Sequence, residues 1–169
     1  MDPSAYLEPR YTFRQAAAAA DFPVNTLRSN FQRGWFRSFG NGLHPGQGRT
    51  QRLCLGDILV LAIAGRLIDL GISPSNAYNA AYAFGAVTRN QPGQPRRQPF
   101  QSFDRSKYET LLLWRRGSPE VVPLSRDDPV TRLGLDGLED RAAVVISLGA
   151  VEATMFSRLG LPLPDQGND

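Results

Sequence analysis

The stretch Thr12-Phe13-Arg14-Gln15-Ala16-Ala17-Ala18-Ala19-Ala20-Asp21-Phe22-Pro23-Val24-Asn25-Thr26-Leu27-Arg28-Ser29-Asn30-Phe31-Gln32-Arg33-Gly34 decides the fold. Thr12 is suited to an N-cap, and Gln15 three residues on completes a capping box. The alanine run that follows has the best helix propensity and little bulk, which predicts a closely packed helix over 13–20. Asp21-Phe22-Pro23 breaks it. Pro23 suits the first turn of a new helix, where its missing N–H costs nothing. Val24, Leu27 and Phe31 recur at i, i+3 and i+7, which predicts a second helix over 23–33 ended by Gly34. Two short helices joined by a tight turn read as a helix-turn-helix.

Outward from that core, residues 35–53 read as a β-hairpin wing, with Trp35-Phe36 and Arg52-Leu53 as its strands. Gly40-Asn41-Gly42 and Pro45-Gly46-Gln47-Gly48 supply turn chemistry at its tip. A strongly apolar helix is expected from Asp57 to Leu70, with Ile58, Leu61, Ala62 and Ala64-Gly65 inside. Ser73-Pro74 opens a fourth helix carrying Ala77, Ala80, Ala81 and Phe84. Residues 1–10 show no periodicity and read as a flexible arm. Residues 89–104, with Pro92, Pro95, Pro99 and several Gln, read as a linker. Residues 105–161 then form a small α+β unit. It has a strand over 108–114, a turn over 115–119, a return strand over 120–124, a β-branched strand over 142–148, and a helix carrying Val151, Met155 and Leu159. Residues 162–169 are a tail. The expected class is mixed α+β, with a winged helix-turn-helix over 11–88 and a C-terminal unit for dimerisation or sensing.

The chain has 169 residues, 21% of them charged and 41% hydrophobic, a globular balance. The formal charge of +3 hides an asymmetry. Between Arg10 and Arg52, seven arginines face one carboxylate, Asp21, whereas bases and acids balance from Arg89 to Asp169. A basic N-terminal third on a neutral body is the footprint of a polyanion binder. Cys54 and His44 are the only residues of their types, which excludes a disulfide within the chain and a Cys-rich zinc centre. No nucleophile–base pair or phosphate-binding glycine motif is present, so no enzyme, cofactor or metal site is expected. No apolar run is long enough to span a membrane, and Met1-Asp2-Pro3-Ser4 is unlike a signal peptide. The expectation is a cytoplasmic, nucleoid-associated protein.

The order helix, helix, wing, helix, helix resembles the MerR family of bacterial winged helix-turn-helix regulators. Tyr11-Thr12-Phe13, Val24-Asn25-Thr26-Leu27-Arg28 and Arg33-Gly34-Trp35-Phe36 are similar to its opening, its recognition helix and its entry to the wing. Arg52, Asp57-Ile58, Leu61, Leu70 and Gly71-Ile72-Ser73 keep the family spacing, so the resemblance covers residues 11 to about 85. Asp21 stands where the family has Gly, and Ser29 and Asn30 stand where it has aromatic residues. The insert at 40–48 lengthens the wing. The family's long dimerising helix and metal-ligand cysteines have no counterpart. The resemblance implies double-stranded DNA as partner and places Arg28 on the DNA side of its helix.

With Val24, Leu27 and Phe31 inward, the residues left facing outward are Asn25, Thr26, Arg28, Ser29, Gln32 and Arg33. Asn reads adenine and Arg reads guanine, while Ser and Thr touch bases or phosphates. Arg14 on the first helix, and Arg37, Arg49 and Arg52 on the wing, suit phosphates or a minor groove. His44 reads as an exposed wing-tip residue, Cys54 as a buried inert thiol, and Asp127-Asp128 as a solvated turn. Trp35 and Phe36 read as core rather than as a stacking platform. The leading expectation is a sequence-specific transcriptional regulator acting as a homodimer through its C-terminal region. By fold analogy, the alternative is a phage-type excisionase or terminase small subunit.

Overall fold

The computed structural model describes residues 3–39, 52–86, 95, 97–115, 117–127 and 143–164. Among them it is mixed α+β. A 3-10 turn at Pro3–Tyr6 precedes α1 (Phe13–Ala20), α2 (Val24–Gln32), α3 (Leu55–Asp69) and α4 (Pro74–Ala86). Strands β1 (Tyr108–Arg115), β2 (Ser118–Ser125) and β3 (Val144–Ser147) follow, and α5 (Leu148–Leu159) continues directly from β3.

The sequence Leu55-Gly56-Asp57-Ile58-Leu59-Val60-Leu61-Ala62-Ile63-Ala64 places apolar side chains on every face of α3, and every residue of this run is buried. A helix apolar all round must be covered all round. α1, α4, α5 and the 3-10 turn do so. α1 turns Ala16, Ala17, Ala19 and Ala20 inward. α4 contributes Ala77, Ala80, Ala81 and Phe84. The helix starts two residues earlier than expected because Cys54, not a Ser or Thr, is its N-cap. The Cys54 thiol accepts from the Asp57 N–H at 3.4 Å, and the Asp57 carboxylate accepts from the Cys54 N–H at 2.9 Å.

The sheet is antiparallel with order β2-β1-β3. Leu112 pairs with Val121 on one side and Ile146 on the other. Leu112, Ile146, Leu148, Met155 and Phe156 belong to the same buried cluster as α1, α3 and α4. The two halves therefore share one core, where separate units joined by a linker were expected.

The described part of the expected linker is built into that core. Arg97 lays its guanidinium over the Phe84 ring at 4.7 Å and donates to the Phe84 carbonyl at 2.8 Å, which caps α4. Burial pulls the Arg97 pKa down to about 10. Phe100 fills the space left by Gly56 and Gly85 and stacks on Tyr6, centroids 5.7 Å apart. Tyr6 is fully buried, so the expected flexible arm is anchored by its one aromatic ring. The hairpin strands expected at Trp35-Phe36 and Arg52-Leu53 are not paired. Leu53 forms an antiparallel bridge with Tyr11 instead, and the N–H groups of Trp35 and Phe36 both go to the Asn30 carbonyl at the end of α2. The wing tip, with His44 and Arg49, lies outside the described residues, as do Asp128 and residues 165–169.

Two helical glycines separate crowding from propensity. A Cβ on Gly65 would meet Phe22 and the Ala20 carbonyl at ordinary distances of 3.5–3.7 Å. A Cβ on Gly85 would lie 2.9 Å from Phe39 Cζ and closer still to Phe100. Urea unfolding should show Gly65→Ala stabilised by about 0.5–1 kcal/mol and Gly85→Ala destabilised by about 1–3 kcal/mol.

Candidate nucleic-acid interface

The turn between α1 and α2 sets which face of α2 is presented. Asp21 adopts φ +60°, in the left-handed region, and its N–H and that of Phe22 both donate to the Ala17 carbonyl. That conformation favours glycine, so an aspartate here is held in a backbone region that side chains rarely adopt. Phe22 is buried edge-on to Phe36 at 5.8 Å and sits over Gly65. Pro23 is the N-cap of α2, so the helix starts one residue later than expected, and the Pro23 carbonyl accepts the first helical bond from Leu27 at 2.9 Å.

Leu27 is fully buried. Val24 and Phe31 pack against the core, with Phe31 edge-on to Phe13 of α1 at 5.3 Å. Asn30 joins them at 3% exposure, a buried polar residue that the apolar periodicity could not reveal. The opposite face is open. Asn25, Arg28 and Gln32 recur at i, i+3 and i+7, and all three are exposed. Thr26, Ser29 and Arg33 form a second stripe beside them, exposed except for the half-buried Ser29. Arg33 lies over the ring of Trp35 at 4.9 Å, and Trp35 is 38% exposed, so this ring is a surface platform for Arg33 rather than core. Phe36 is core, as expected.

Arg14 is exposed on the first turn of α1. Arg37 is exposed too, while its backbone is held: the Tyr78 hydroxyl donates to the Arg37 carbonyl, and burial raises the Tyr78 phenol above its usual range. Asp57 fixes the next two residues, accepting from the Ser38 hydroxyl at 2.6 Å and the Phe39 N–H at 2.7 Å. One carboxylate thus caps α3 and clamps the segment leaving α2. Arg52 donates to the Arg10 carbonyl at 2.8 Å, so part of its guanidinium secures the Tyr11–Leu53 bridge.

Among the described residues, none of Arg14, Arg28, Arg33, Arg37 and Arg52 has a carboxylate within ion-pair distance. Asp21, the sole acid between Arg10 and Arg52 in sequence, is engaged elsewhere. Its carboxylate lies 2.9 Å from Arg158 of α5 and 4.0 Å from Arg66 of α3. The result is a cationic α1–α2 pair whose arginines have no carboxylate partner among the described residues. No helix among the described residues is long and apolar enough to cross a membrane. Compared with protein-family models and with curated proteins, the sequence gives no match.

The left-handed turn is open to a direct test. Asp21→Ala and Asp21→Gly both remove the two ion pairs, but only Ala is strained at positive φ. Urea unfolding should place Asp21→Ala about 1 kcal/mol below Asp21→Gly. Equal stability would mean that the turn does not take this conformation.

Proposed function

We propose that this protein is a sequence-specific double-stranded DNA-binding regulator that sets α2 into the major groove. The carrying observation is the exposed face of α2, with Asn25, Arg28 and Gln32 aligned on it, beside arginines that have no carboxylate partner among the described residues. Guanidiniums left unneutralised by the protein's own acids gain most from phosphates, through counterion release. On this reading Arg28 and Asn25 read base edges and Thr26, Ser29, Gln32 and Arg33 flank them. Arg14, Arg37, Arg49 and Arg52 hold the phosphate backbone. The arrangement of α1, the left-handed turn and α2, with the apolar α3 behind them, supports a helix-turn-helix of the MerR kind.

A single unit of this size contacts too little DNA for tight binding, so the regulator acts as a homodimer through its C-terminal region. The edge position of β3 and the 45% exposure of Val145 on it support that arrangement. Equilibrium sedimentation at tens of micromolar should give the mass of a dimer; a monomer would contradict it.

Selection of genomic fragments by the purified protein at about 150 mM salt should enrich a few sites sharing one motif. On such a site Arg28→Ala should cost about 1–3 kcal/mol of binding and relax the preference at one position. Arg14→Ala should weaken all sequences alike and lower the salt slope by about 1. No enrichment, with binding that fades evenly as salt rises, would overturn the sequence-specific reading.

A further inference from the structure

A cavity of about 430 Å³ lies between the start of α5, the segment before β1 and the residue that follows β2. Two guanidiniums line it, Arg105 and Arg126. They are neighbours, because Arg126 Nε donates to the Arg105 carbonyl at 2.9 Å. Each has one carboxylate. Arg105 Nη2 lies 2.7 Å from Oε2 of the fully buried Glu152, and Arg126 Nη2 lies 2.9 Å from Glu109 Oε2. Both carboxylates also accept from a serine: Ser102 donates to Glu152 and Ser147 to Glu109.

The guanidiniums are not exhausted by these partners. Among the described residues Arg105 Nε and Glu152 Oε1 are buried with no hydrogen-bond partner, and Arg105 Nη2 meets Glu152 Oε2 as an ion pair without hydrogen-bond geometry. Neither Arg105 Nη1 nor Arg126 Nη1 has an acceptor among the described residues. Unmatched donors on a planar fork, beside an open cavity, are what a carboxylate satisfies. Ala150, Ala153 and Leu163 form an apolar stretch of a wall that also holds Tyr108, Thr110, Ser102 and Ser147, and the volume falls in the range of small-molecule sites. Glu109 and Glu152 already place two negative charges here, so a monoanion meets less repulsion than a doubly charged phosphate.

We propose that this cavity binds a small organic acid, with its carboxylate on Arg105 and Arg126 and its apolar body against Ala150, Ala153 and Leu163. The site stands apart from the DNA reading and is tested without DNA. The arginine Nε–H signals of the ¹⁵N-labelled full chain report on it as butyrate is raised to about 20 mM against chloride of equal ionic strength. The Arg105 and Arg126 signals should shift saturably with butyrate and less with inorganic phosphate. Arg126→Ala should raise the apparent Kd by about tenfold or more. Ala153→Leu, which fills the cavity and leaves both guanidiniums in place, should abolish the shift. No saturable shift with butyrate, shifts larger with phosphate, or binding unchanged in Ala153→Leu would each overturn the proposal.

Discussion

Helix α3 carries apolar side chains around its whole circumference, and no single neighbour can cover such a helix. Ile58, Leu59, Leu61, Ile63 and Leu67 are all fully buried. The chain meets this demand from both halves: α1 and α4 pack from one, and α5 closes from the other. Burial of each such side chain is worth roughly 1.5–3 kcal/mol, which makes the enclosure of α3 a principal stabilising term. It also places the α1–α2 pair and the sheet on one framework, because α5 leaves β3 without a break and packs on both α1 and α3.

Two carboxylates convert that packing into a defined orientation for α2. Asp57 is 1% exposed and accepts from residues far apart in sequence: Ser38 and Phe39 after α2, and Cys54 just before α3. Asp21 holds the left-handed corner between α1 and α2, and its ion pair with Arg158 ties that corner to the last turn of α5. The first turn of the same α5 lines the cavity that contains Arg105 and Arg126. One 12-residue helix therefore touches both the α1–α2 corner and the cavity that holds Arg105 and Arg126.

The helices were legible because their signals are local. Thr12 and Gln15 form the capping box that their spacing predicts, and the 3.6-residue period of Val24, Leu27 and Phe31 assigns the outward face of α2, apart from the half-buried Ser29, while leaving the buried Asn30 unassigned. The strands were legible from β-branched and apolar runs, with ends displaced by a few residues. What could not be read depends on contacts distant in sequence. Proline and glutamine around residues 92–101 suggest a linker, yet Arg97 and Phe100 bind there to the end of α4. Tyr6 finds Phe100 across most of the N-terminal half. The short segment 35–36 has no alternation to reveal that its N–H groups close onto Asn30. Tyr78 and Arg158, which position the site without belonging to it, carry no sequence pattern, and the expected start of α3 at Asp57 gives no sign that its carboxylate also holds Ser38 and Phe39.

On the proposed reading, the outward face of α2 meets DNA while the sheet does not. Amide chemical-shift mapping of the labelled full chain during titration with its selected duplex tests this directly. The account predicts that the largest perturbations fall between Asn25 and Arg33 and at Arg14 and Arg37, with β1 and β2 unmoved. Perturbations concentrated on the sheet, with α2 silent, would contradict it.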